Sequence, residues 1–166
     1  QMEKQYVIGG FHFTAWGYGP YRPRIIGAEG TLGTGYYGFS AYLKRETPLA
    51  KICPGWDFPG REGQRVALSL ANNGDYVEVY VNGALEATVT TDLYAVTPYE
   101  TVYRPGYISI VAYRDGRQWA SDTAYTPGEP AAVELVCENR TLLADGTDTA
   151  IISAYLTDAR GVRCLN

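Results

Sequence analysis

From about residue 49 onward, apolar and polar positions alternate in short runs, the period of a strand with one buried face. In RVALSLAN (65–72), Val66, Leu68 and Leu70 fall on one side and Arg65, Ala67 and Ser69 on the other. In YVEVYVNG (76–83), Val77, Val79 and Val81 oppose Tyr76, Glu78 and Tyr80. Asn82-Gly83 then predicts a type I′ hairpin turn, which needs positive φ at both central positions, and the chain returns as ALEATVTT (84–91). GYISIVAYRDG (106–116) runs into a second such turn at Asp115-Gly116, with RQWASDTAY (117–125) coming back antiparallel. Short strands at regular spacing, punctuated by Gly, Asn and Pro, predict an all-β chain: an immunoglobulin-like β-sandwich over residues 49–127 with partial segments on either side.

The flanks read differently. YYGFSAYLKRETP (36–48) places Phe39, Tyr42 and Leu43 at helical spacing ahead of Pro48, which predicts a short helix. Upstream, YVIGGFHFTAWGYGPYRP (6–23) is a buried-type strand followed by an aromatic loop rich in Gly and Pro. One strand and one helix do not make a domain, so residues 1–48 are expected to be the remnant of a larger unit. TPGEP (126–130) reads as a linker. After it, AAVELVCEN, TLLADG and TDTAIISAYLTDARGVRCLN supply about three strands, too few to close a sandwich, so residues 128–166 are expected to open a second one. The chain therefore reads as a piece of a longer protein, and its unmatched apolar faces predict either poor order or a homodimer through those faces.

Composition narrows the function classes. A net charge of −4 with no basic run argues against nucleic acid, whose binding needs clustered Lys and Arg. No apolar run approaches the ~20 residues of a membrane span. Cys53, Cys137 and Cys164 are too few and too scattered for a disulfide framework, and a single histidine, His12, makes zinc improbable. No metal and no other cofactor is expected. Aromatic residues reach 13% of the chain, which suits both pleated sheets and protein–sugar contacts, with sheet packing the more economical account.

Candidate chemistry begins at CPGWDFPGREGQ (53–64), where Trp56 and Phe58 stand beside Asp57 and Glu62. Glycoside hydrolysis needs two carboxylates about 5–10 Å apart. In a Gly/Pro loop, however, acidic side chains ordinarily cap backbone N–H groups. Glu78 and Glu86 occupy positions of a solvated hairpin face. ADGTD (144–148) lacks the spacing of a calcium loop and predicts an Asp-Gly turn. No nucleophile motif is present, and no set of residues is expected to be catalytic. In the N-terminal segment, Trp16, Tyr18 and Tyr21 are placed to line a cleft at the C-terminal end of a strand, where α/β barrels hold their sites.

The order of these motifs resembles the region of family 2 glycoside hydrolases, the β-galactosidase type, where the catalytic barrel ends and the C-terminal sandwiches begin. That family's last barrel strand has the form G-x-F-x-W-T-x-x-D-Y-x-G-E-P, and GGFHFTAWGYGPY carries Phe11, Thr14, Tyr18 and Pro20 in matching places. A tyrosine-rich stretch follows, as in GYYGFSAYLKRE. A segment of the form H-x-x-P-H-W-N-W-x-G-x-E-G comes next, matched by KICPGWDFPGREG through Pro54, Trp56, Phe58, Gly60, Glu62 and Gly63. An N-x-x-x-V-E-L-F-L-N-G hairpin then corresponds to NNGDYVEVYVNG. The departures lie in the first motif: its tryptophan, which borders the sugar subsite in relatives, falls on Phe13, its Asp on Gly17, and its Gly-Glu is missing.

The resemblance implies a periplasmic or extracellular glycan-degrading enzyme whose two catalytic glutamates lie upstream of these motifs, outside this sequence. On that reading the chain is a non-catalytic accessory region and meets a β-glycoside or oligosaccharide through its parent, with Phe13, Trp16 and Tyr18 as substrate-binding candidates. Trp56, Phe58 and the valine hairpin are expected to bury the interface with the barrel. The competing expectation is a free-standing immunoglobulin-like carbohydrate-binding or adhesion module.

Overall fold

The computed structural model describes residues 25–26, 32–92, 96–137, 139 and 141–164. Phe13, Trp16 and Tyr18 lie outside the described residues. The first element is a helix, α1 (Thr34–Leu43), shifted toward the N-terminus of the expected range. Its buried positions are Gly35, Ser40 and Ala41, and it lies on β2. Phe39 and Leu43, whose helical spacing marked the element, are exposed. Small side chains let a helix come close to a sheet, and that contact sets the orientation rather than the larger apolar residues.

Seven strands follow: β1 (Ala50–Cys53), β2 (Arg65–Asn72), β3 (Tyr76–Val81), β4 (Ala84–Thr90), β5 (Thr97–Val102), β6 (Tyr107–Arg114) and β7 (Arg117–Tyr125). They form two antiparallel sheets, one in the order β1-β2-β5 and the other β4-β3-β6-β7. In a constant-type immunoglobulin domain the fourth strand joins the first, second and fifth. Here the tight Asn82-Gly83 turn keeps β4 on β3. Both residues take positive φ (50° and 84°), as do Asp115 and Gly116 (52° and 72°), so both hairpin turns form where the sequence places them.

The alternating apolar residues meet between the sheets. Val66, Leu68 and Leu70 from β2 face Val77, Val79 and Val81 from β3 and Ile108, Ile110 and Ala112 from β6, all essentially excluded from solvent. At one side of the sandwich the edge strands β1 and β7 approach each other. There Asp122 of β7 accepts the backbone N–H of Ile52 at 2.9 Å and an ion pair from Lys51 at 3.2 Å, tying the two sheets together.

Beyond β7, β8 (Pro130–Cys137) and β9 (Ile152–Asp158) pair as an antiparallel ribbon. The strand expected over TLLADG does not form. Asp145 instead accepts the N–H groups of Thr147 and Asp148, each at 2.8 Å, and Asp148 accepts that of Leu143, making the Asp-Gly turn. One face of the ribbon is apolar and uncovered by the described residues: Val133, Leu135, Ile152 and Leu156 are each about half exposed or more.

Candidate functional site

The 53–64 loop delivers Trp56 into the middle of the sandwich. Its side chain is 1% exposed and its Nε1 donates to the carbonyl of Arg104 at 3.0 Å. Tyr103, also 1% exposed, meets it edge-to-face with ring centroids 4.9 Å apart, and Phe58 closes the trio at 6.1 and 5.4 Å. The expectation that Trp56 anchors an interface with a preceding barrel is therefore corrected. The indole packs inside the sandwich's own core because Tyr103, 47 residues later, arrives from the end of β5 to meet it. Glu62 behaves as a loop cap: its Oε1 accepts the N–H of Gly60 at 3.3 Å.

This aromatic trio ends at the joint between sandwich and ribbon. Thr126 Oγ1 lies 3.0 Å from both Tyr103 Oη and the Trp56 carbonyl, and accepts the Gly106 N–H at 3.2 Å. The carbonyl of Thr126 accepts from Arg160, which chelates Asp158 through Nε and Nη2. Asp158 in turn accepts the backbone N–H groups of Gly128, Arg160 and Val162 at 2.8–2.9 Å. These bonds, led by that from Gly128, hold the Asp158 carboxyl well below the usual carboxylate range. A depressed folded-state pKa adds stability above the ordinary carboxylate pKa and loses it as pH falls. Exchange protection of the Gly128 and Val162 amides, measured by NMR, should therefore hold from pH 7 down to about 4 and decline below that. Asp158→Asn should remove the acid-dependent part of that decline.

The other acidic candidates are also committed. Glu86 accepts from Thr101 Oγ1 at 2.7 Å and from Arg104 at 3.0 Å; Asp75 accepts the Asp115 N–H at 2.8 Å. Glu78 lies on the outward face of its hairpin, as expected, and gathers hydrogen bonds there. Its Oε2 accepts from the hydroxyls of Tyr80 (2.7 Å) and Tyr113 (2.9 Å). Those bonds to a carboxylate push both phenols above their ordinary pKa. Tyr113 also stacks on Tyr76, with centroids 4.9 Å apart and planes 10° from parallel. The sequence carried one signal for this cluster, the Tyr-Val-Glu-Val-Tyr alternation that puts all three β3 polar residues on one face. Among the described residues no group of three or more His, Cys, Asp or Glu is arranged to hold a metal ion, and no helix is long and apolar enough to cross a membrane. Burial pushes the Cys53 thiol up, which keeps it protonated in the core.

Comparison with known proteins gives this geometry a context. A family model described as a domain of unknown function (DUF4982) matches residues 63–120. The chain is 27% identical to a β-galactosidase of Bacteroides ovatus over 96% of its length, and 29% identical to a β-glucuronidase of Formosa agariphila over 78%. The structure of a β-glucuronidase from glycoside hydrolase family 2 superposes on 85% of the chain with a TM-score of 0.73 at 27% identity. The chain is similar in sequence and fold to a part of family 2 glycoside hydrolases. A family 2 member from Bacteroides cellulosilyticus shares the fold over 98% of the chain, with a TM-score of 0.81 at 24% identity. Each of these proteins is far longer. The chain spans 19% and 13% of the two curated relatives and 25% of the B. cellulosilyticus chain.

Proposed function

We propose that this segment is a non-catalytic C-terminal support of a family 2 β-glycosidase, whose retaining chemistry is carried by two glutamates outside the 166 residues. The observation that carries the reading is one of proportion: nearly the whole chain aligns with glycosidases while accounting for about a fifth or less of the curated relatives. The commitment of Glu62, Asp75, Glu78, Glu86 and Asp158 to structural hydrogen bonds agrees with it. On this reading residues 1–48 carry the end of a catalytic barrel, 49–127 a sandwich and 128–166 the start of a second. The parent meets a β-glycoside or oligosaccharide in the periplasm or outside the cell. The chain alone should release no nitrophenol from nitrophenyl β-galactoside or β-glucuronide above the buffer rate. Turnover proportional to protein concentration that survives repurification overturns the proposal.

The uncovered face of the ribbon has a consequence for the chain by itself. Val133, Leu135, Ile152 and Leu156 form a contiguous apolar patch of the kind soluble monomers rarely leave open. Light scattering should find concentration-dependent dimers of the isolated chain, and Leu135→Lys should shift them to monomer. A monomer at all concentrations contradicts association through this face.

A further inference from the structure

The outward side of the four-stranded sheet is a second surface with its own chemistry. Along β3 and β6 the buried residues alternate with half-exposed ones, so Tyr76, Glu78 and Tyr80 stand on the same face as Ser109 and Tyr113. The register sets them in cross-strand rows. Tyr76 lies opposite Tyr113, and Tyr80 opposite Ser109, which is itself opposite the exposed Thr123 of β7. From Tyr76 to Tyr80 the surface runs about 13 Å, four residues at the strand rise. Among the described residues no helix or further strand packs on this face, because α1 lies on the other sheet.

Three features distinguish this surface from ordinary strand packing. First, Glu78 is held in place: both phenol hydrogen bonds fall on Oε2, leaving its position fixed at the centre of the rows. Second, none of the ion pairs among the described residues involves Glu78, so no Lys or Arg among them cancels its negative charge. Third, the flanks combine aromatic rings with hydroxyls that donate and accept in turn. A fixed carboxylate accepts hydrogen bonds from vicinal hydroxyls, and a tyrosine ring offers a face to the axial C–H groups of a pyranose. The same carboxylate repels a uronate.

We propose that this face, centred on Glu78, Tyr80 and Tyr113, binds neutral β-linked oligosaccharide chains. The choice of a β-linked glycan rests on the glycosidase reading above, while the preference for a neutral one rests on Glu78. Affinity electrophoresis of the chain through gels containing β-1,4-galactan, hydroxyethylcellulose or mixed-linkage β-glucan tests it, with polygalacturonate as the anionic comparison and an empty gel as reference. At least one neutral glycan should retard the protein, and polygalacturonate should not. Tyr80→Ala and Glu78→Ala should each weaken the apparent affinity by tenfold or more. Tyr80→Phe and Glu78→Gln, which preserve shape, should weaken it less, with unchanged circular dichroism in all four variants. Absence of retardation on all three neutral glycans, equal retardation of the Glu78→Ala protein, or stronger retardation on polygalacturonate overturns the proposal. Any of these failures leaves the nitrophenyl glycoside result untouched, so the two readings fail separately.

Discussion

Replacing Trp56 with alanine is expected to destabilise the chain by about 3–5 kcal/mol, the usual cost of truncating a large buried aromatic and leaving a cavity. Three losses combine at this position. The indole is 1% exposed, its Nε1 hydrogen bond to the Arg104 carbonyl disappears, and the edge-to-face contacts with Tyr103 and Phe58 go with it. Tyr103 also holds Thr126, so the damage reaches the joint with the ribbon. With a urea dependence of about 1–3 kcal/mol/M for a small domain, the unfolding midpoint should fall by about 2 M. A midpoint within a few tenths molar of the parent's would show that Trp56 is not a core residue. Trp56→Phe, which keeps a ring in the cavity, should recover a large part of the loss.

Asn73→Ala carries the second large effect, on the order of 2–4 kcal/mol, because truncation leaves several partners unsatisfied at once. The Asn73 side chain is buried and uses all of its hydrogen-bonding capacity. Its Oδ1 accepts the Leu49 N–H at 3.0 Å and Trp119 Nε1 at 2.7 Å, and its Nδ2 donates to the Lys44 and Thr47 carbonyls at 3.0 and 2.8 Å. One amide thus fastens the chain leaving α1 to the β2–β3 turn and to β7. In the variant, the Leu49 amide should exchange with solvent at least tenfold faster, and the Trp119 indole N–H resonance should move toward its free position. Amides in the middle of β6 should keep their relative protection. If Leu49 exchange is unchanged, the connector is held by something other than Asn73.

The strands that sequence pattern identifies are those whose buried face is apolar at every second residue. Val66, Leu68 and Leu70, then Val77, Val79 and Val81, then Ile108, Ile110 and Ala112 each mark a face directly, and the positive-φ pairs Asn82-Gly83 and Asp115-Gly116 mark the turns that follow β3 and β6. β5 escapes such a reading because its buried positions are Thr97 and Thr101 and it contains Pro98. The helix was legible as an element, but its orientation was not, since Gly35, Ser40 and Ala41 make the contact while Phe39 and Leu43 face outward. Trp56 looked like an interface residue for a similar reason. Its partners Tyr103 and Thr126 lie 47 and 70 residues away, and local sequence carries no trace of such a meeting. Asn73 and Glu78 illustrate the same limit in polar residues. A turn asparagine and a strand glutamate have the same local signature whether they face water or gather hydrogen bonds from distant strands. The collinear motifs pointed to the family 2 glycosidases that the chain is similar to, but the same resemblance led Trp56 to be expected at an interface rather than in the core.

The most direct test of the proposed supporting role is a kinetic and thermal comparison in the full-length protein, which the proposal makes a β-glycosidase, with and without Trp56→Phe. A buttress makes its contribution to stability and none to substrate contact. The variant should keep kcat and KM for a nitrophenyl β-glycoside within twofold at 25 °C while its half-life near the inactivation temperature shortens several-fold. A tenfold rise in KM or fall in kcat at 25 °C, with the inactivation rate unchanged, would place the sandwich in the catalytic apparatus and contradict the account.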